Sequence, residues 1–182
     1  MSRRASSRLP LAAVACALLA ATALGCASYR VVHASEGFGN VRRVAVRTLA
    51  NSSFEPGLDL MVTEALRREL RRRGGVELVS DPAHADLVLA GRVLELQVSA
   101  RSFSSIAFAL EYQIEMKLFL EARRTDGSLV ALEPSALQDV EFYLTSADVE
   151  AERRNRDEAL RRLASVMAER VGDSLAERLA AR

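Results

Sequence analysis

The chain has 182 residues, 25 basic against 24 acidic, and a formal net charge of +1. So even a balance gives it no strong electrostatic claim on nucleic acid. The length suits one domain plus accessory segments, and with 49% apolar residues that domain can bury a core without staples.

The first element is an apolar run from Leu9 to Leu24, preceded by Arg3, Arg4 and Arg8 and closed by Ala23-Leu24-Gly25-Cys26. This pattern is that of a lipoprotein signal peptide over residues 1–25, cut after Gly25 once the Cys26 thiol is acylated. Cys16 is a second candidate, but only seven apolar residues precede its cut. An uncleaved anchor is the other alternative, and sixteen residues fall short of the ~20 that a bilayer requires. Cleavage removes three arginines and no acid, taking the net charge to −2, and leaves no free cysteine for a disulfide. Two or more acyl chains on Cys26 would anchor the chain stably, whereas one binds only marginally.

Residues 26–40 combine the acylated cysteine with a linker in which Ser28, Ser35, Gly37, Gly39 and Asn40 break any periodicity. A single domain is expected over 41–182. Val44, Val46 and Thr48 alternate along a first strand. The polar turn 51–57 carries Pro56 and leads into a helix whose stripe is Leu58, Met61, Val62, Ala65, Leu66 and Leu70, ending at Gly74-Gly75. Its outer face bears Arg67, Arg68, Arg71, Arg72 and Arg73. These could meet an anionic headgroup, or form a solvated face supported by Glu64 to Arg68 and Glu69 to Arg73 pairs.

Val76, Leu78 and Val79 suggest a short second strand, and Leu87 to Val98 a third in which Gly91 permits close approach or a bulge. From Ile106 to Ala122 every even position is apolar or aromatic, while Glu111, Gln113, Glu115, Lys117 and Glu121 occupy odd ones. Such a strand would run about 56 Å at ~3.3 Å per residue, so a bend or an overhang is expected. Asp126-Gly127 predicts a hairpin turn, and the return strand shows Val130 and Leu132, a break at Pro134, then Val140, Phe142 and Leu144 in phase. Asp148 caps a last helix with the stripe Leu160, Leu163, Ala164, Met167, Val171, Leu175 and Leu179. The order implies an α+β fold: a mainly antiparallel four- to five-stranded sheet, two helices packed on one face, the other face polar.

Chemistry is sparse. There are two histidines, His33 in the linker and His84, and the cluster Asp81, His84, Asp86 is explained by turn formation as readily as by metal ligation. No phosphate loop, nucleophile elbow or cofactor motif is present. Arg101 and Phe103, on a serine-rich stretch, and Lys117 are the residues to watch for contact with a phosphorylated lipid or a partner.

The chain resembles the LptE family of lipopolysaccharide-assembly lipoproteins. The resemblance rests on Cys26 followed by Tyr29, on Val44-Ala45-Val46 leading to Asn51-Ser52-Ser53-Phe54-Glu55-Pro56, and on Leu66 to Leu70. It continues through Ala85-Asp86-Leu87-Val88-Leu89-Ala90-Gly91-Arg92-Val93, Tyr112 to Leu120, Tyr143 and Arg156 to Leu160. One departure is Ala27-Ser28, where the family often has Gly-Tyr after the cysteine. The resemblance implies a non-enzymatic plug and assembly partner of the LptD β-barrel, lipid-anchored at the periplasmic face of the outer membrane, with possible contact to lipopolysaccharide. Ala27 after the cysteine resembles an outer-membrane sorting address. Other outer-membrane lipoproteins share the Ala-Asp-hydrophobic-Gly block, which keeps an activator or scaffold of a periplasmic enzyme, such as a peptidoglycan synthase, as the alternative.

Overall fold

A computed structural model describes residues 37–103 and 109–181. The signal peptide, Cys26, His33 and most of the linker lie outside the described residues, as do Ile106 and Phe108. Eight strands and two α-helices make up the described fold: β1 (Arg43–Val46), β2 (Ala50–Asn51), α1 (Leu58–Arg73), β3 (Glu77–Leu78), β4 (Leu87–Val93), β5 (Gln97–Phe103), β6 (Ala109–Arg124), β7 (Leu129–Val130), β8 (Gln138–Leu144) and α2 (Val149–Ala180).

The sheet corrects the expectation of a mainly antiparallel arrangement of four or five strands. It is mixed: β1 runs parallel to both β3 and β4, and β2 parallel to β4, whereas β4, β5, β7 and β8 all run antiparallel to β6. The parallel half has a plain cause. A hairpin turn can join only antiparallel neighbours, while α1 between β1 and β3 supplies the crossover that a parallel pair requires. The strand count rises because both neighbours of β6 break opposite its middle. The third strand of the sequence reading divides into β4 and β5 around residues 94–96, and the return strand into β7 and β8 around a 3-10 turn at Pro134–Ala136. Backbone bonds seal both breaks, from Leu94 N–H to the Lys117 carbonyl and from Leu118 N–H to the Leu137 carbonyl. The sixteen-residue β6 is therefore the spine of the molecule.

Its alternation is the one predicted from Tyr112 to Ala122, while Leu110, expected on the buried face, is 48% exposed. Ile114, Met116, Leu118, Leu120 and Ala122 are buried, and they meet Leu87, Leu89 and Val93 of β4 and the apolar stripes of both helices in one core. Every stripe residue expected on α2 is buried, and on α1 all but the partly buried Met61. Asp148 caps α2 by accepting from the Glu150 and Ala151 N–H groups at 2.8 and 3.2 Å. Gly91 serves close approach and not a bulge, since the β4–β6 register runs unbroken through it. A Cβ there would lie 2.0 Å from the Phe119 carbonyl oxygen. The register shifts fall instead on β5, on either side of Ser102.

The phase expected for the last strand is overturned. The 3-10 turn restarts the alternation, so Asp139, Glu141 and Tyr143 join Met116, Ile114 and Tyr112 on the helix side, and Val140, Phe142 and Leu144 face outward. Two carboxylates beneath a helix need partners, and α2 provides them: Arg170 holds Asp139 at 3.1 Å and Arg162 holds Glu141 at 3.1 Å. Tyr143 stacks on Tyr112, ring centroids 5.5 Å apart. Of the two pairs expected along α1, Glu69 to Arg73 forms at 2.6 Å, while Glu64 turns to Arg67 in place of Arg68. The buried Glu69 also takes Arg72, and Arg73 carries on to Asp173 of α2.

Candidate functional site: the open face of the sheet

The helices cover one face of the sheet, and the register of β6 sets what the other presents. Glu111, Gln113, Glu115, Lys117, Phe119, Glu121 and Arg123 point away from the core, flanked by Arg92 on β4 and by Val140, Phe142 and Leu144 on β8. Two arginines sit over aromatic rings here. The Arg92 guanidinium carbon sits 4.7 Å from the Phe119 ring centre, and that of Arg101 sits 4.5 Å from Phe142. Stacking uses the π face of a guanidinium and leaves its in-plane N–H donors aimed outward, the fork that binds phosphate or carboxylate oxygens in pairs.

The cations of this face are only lightly committed to carboxylates. Lys117 Nζ lies 2.9 Å from Glu115, Arg123 lies 3.5 Å from Glu121, and Arg101 Nε lies 3.8 Å from Glu111. All of these side chains are partly or well exposed, so the pairs contribute ~0–1 kcal/mol each and exchange readily for another anion.

The structure thus brings Arg101 and Lys117 onto one face. Phe103, 59% exposed, stands at the end of β5 beside the undescribed residues 104–108. Sequence reasoning missed Arg92, Phe119 and Phe142. A signal for the second was available: Phe119 is the one aromatic at an odd, wet position of β6, and an apolar ring on a charged face invites a cation from the next strand. The Asp81, His84, Asp86 cluster does not converge. His84 Nδ1 meets Asp81 at 3.0 Å, while Asp86 turns to β1 and accepts from the Arg42 and Arg43 N–H groups and the Arg43 guanidinium. Those contacts, the Arg43 side chain first, hold the Asp86 carboxyl below its usual range. Among the described residues no group of three potential ligands could hold a metal ion.

A family profile described as LptE: Lipopolysaccharide-assembly matches residues 41–175. The chain belongs to this family. Membership makes it a lipoprotein of lipopolysaccharide assembly at the outer membrane, and the LptE match covers α1, the whole described sheet and α2 as far as Leu175. Solved structures share the fold. Rare lipoprotein B from Shewanella oneidensis aligns at 18% identity with a TM-score of 0.51, covering 72% of this chain and 95% of that one. Lipoprotein B from Nitrosomonas europaea aligns at 9% identity and a TM-score of 0.58, covering 81% and 90%. A lipoprotein from Caulobacter crescentus CB15 aligns at 17% identity and 0.50, covering 81% and 96%. No curated protein sequence matches the chain.

Proposed function

We propose that this LptE-family chain is a plug and assembly partner of an LptD-like outer-membrane β-barrel, acting in lipopolysaccharide transport to the cell surface by fit and not by bond chemistry. In this reading residues 1–25 are removed, acylated Cys26 holds the chain at the periplasmic face, residues to about 40 form the tether, and the domain from 41 onward enters the barrel. The observation that carries it is the open sheet face. A surface of alternating carboxylates, one lysine and ring-stacked arginines is costly to place against lipid and well suited to a polar, water-containing barrel lumen. The sixteen residues of β6 give that face a contour of about 53 Å, enough to pass the ~25 Å apolar band of a barrel. Arg92, Arg101 and Lys117, with Phe103 at the rim, are the residues offered to lipopolysaccharide phosphates and acyl chains. Nothing in the family or the fold favours the activator alternative.

The test is purification of the full lipidated chain from its own membranes in mild detergent. A large β-barrel in stoichiometric amount is expected. A penicillin-binding enzyme in its place, with no barrel, overturns the reading.

A further inference from the structure

The turn between β2 and α1 holds the most exposed large apolar side chain among the described residues, Phe54, at 93%. Single exposed apolar residues are ordinary on protein surfaces. What sets this one apart is the rigidity of its mount. Asn51 Oδ1 accepts from the Ser53 N–H at 2.9 Å and from the Ser53 hydroxyl at 2.7 Å, and Asn51 Nδ2 donates to the Glu55 carbonyl at 2.8 Å. The Glu55 N–H donates to Ser53 Oγ at 3.2 Å, and the Ser52 N–H donates to the Val93 carbonyl at 2.9 Å. Beneath the turn, the part-buried Glu55 carboxylate meets Arg156 of α2 at 2.5 Å, which ties the loop to the helix layer.

These bonds have two consequences. The ring is held out on a loop that has already lost its conformational entropy, so engaging a partner costs little further ordering. The polar groups named are also satisfied within the chain, so covering the turn leaves those donors and acceptors paired. Together they describe a prepared anchor.

Charge selects its occupant. From Thr48 to Ala65 the sequence has Glu55, Asp59 and Glu64, two of them held by Arg156 and Arg67, and no lysine or arginine within the stretch to draw the turn to an anionic bilayer surface. An apolar pocket in a protein wall takes a lone aromatic without that penalty.

We propose that Phe54 is the anchor residue by which this chain grips an apolar pocket on its barrel partner. The inference rests on the plug reading and adds the contact that would fix the domain there. Its test is site-specific photocrosslinking in cells expressing the full lipidated chain with a benzophenone side chain at position 54. A light-dependent adduct with the same barrel that copurifies with the unsubstituted chain is expected. An adduct with lipid, or with a second copy of this chain, or no adduct while the barrel still copurifies, overturns the anchor and leaves the plug reading standing. Absence of a copurifying barrel removes the plug reading itself, so the two failures are told apart. In parallel, Phe54→Ala is expected to weaken retention of the barrel about tenfold or more with an unchanged melting temperature. Undiminished retention by that variant also overturns the anchor.

Discussion

Gly91→Ala probes the spine directly. A Cβ at this position would stand 2.0 Å from the Phe119 carbonyl oxygen and 3.0 Å from the Leu120 Cα, both backbone atoms that cannot swing aside. Reaching ordinary contact means opening β4 from β6 by more than an ångström at the Gly91–Leu120 pair, in the middle of their seven-residue register. Overpacking of this kind costs ~1–3 kcal/mol, and a stretched ladder adds about 1 kcal/mol for each hydrogen bond weakened. The expected loss is about 3 kcal/mol, a fall of roughly 6–12 °C in melting temperature for a domain of this size. Gly127→Ala is the internal control. Its φ of +84° is left-handed but a Cβ there meets nothing within 4 Å, so only the backbone penalty of ~1–2 kcal/mol applies. Circular dichroism melts of both variants in mild detergent would give the order wild type, Gly127→Ala, Gly91→Ala. Should Gly91→Ala melt no lower than Gly127→Ala, β4 and β6 can separate freely and the close-packed spine is wrong. The Arg92–Phe119 stack lies one residue away on each strand, so loss of lipopolysaccharide affinity is expected to accompany the loss of stability.

Three further outcomes follow from the same geometry. Replacing Arg92, Arg101 and Lys117 together by alanine should lower binding of purified lipopolysaccharide to the chain by tenfold or more, at about 1.4 kcal/mol per factor of ten, with little change in melting temperature; equal binding by the triple variant would remove the open face as the lipid contact. Cys26→Ser should block both the acylation and the cut that follows it, so the chain should keep residues 1–25 and carry no diacylglyceryl mass, which mass spectrometry of its amino terminus would read. In acid, Glu69 and Asp86 should set the stability. Burial pushes the Glu69 carboxyl up, but hydrogen bonds from Arg72 and Arg73 outweigh it and hold the group below its usual 4.5. Asp86 lies below its usual 3.8 through Arg43 and the N–H groups of Arg43 and Arg42. Both folded-state values are depressed, so the stabilisation is present above the unfolded values and is lost as pH falls through the folded ones. Melting temperature should therefore drop between about pH 5 and pH 2, and Glu69→Gln with Asp86→Asn should melt lower at neutral pH with a flatter acid limb.

How far the sequence discloses this fold depends on whether an element answers to local periodicity or to its neighbours. β6 and α2 are legible because each buries one long face against a single layer, so burial alone dictates period two or 3.6. β8 is not, since hydrophobicity there misleads: Val140, Phe142 and Leu144 alternate cleanly, yet the inward set is Asp139, Glu141 and Tyr143, made tolerable only by Arg170 and Arg162 arriving from α2. No reading of residues 138–144 alone contains those arginines. The same holds for the parallel pairing of β1, which requires weighing α1 as a crossover, and for part of the arginine stripe, where the buried Glu69 keeps its expected i to i+4 partner Arg73 but adds Arg72, and Glu64 takes Arg67 in place of Arg68.

The inverted phase of β8 also bears on what the open face can do. With its carboxylates committed to α2 on the helix side, β8 turns Phe142 outward, and the bulged stretch of β5 brings Arg101 over that ring from across β6. Arg92 reaches Phe119 from the β4 side by plain cross-strand pairing. Two guanidinium forks are thus supported on the outer face by rings that the periodicity of a water-facing strand would replace with polar residues. Phe142→Ala should therefore weaken lipopolysaccharide binding although Phe142 carries no charge, by freeing Arg101 to collapse onto Glu111, its carboxylate neighbour at 3.8 Å. A Phe142→Leu variant separates ring from bulk: it keeps an apolar support but lacks the π face, and should fall with the alanine variant if stacking orients the fork.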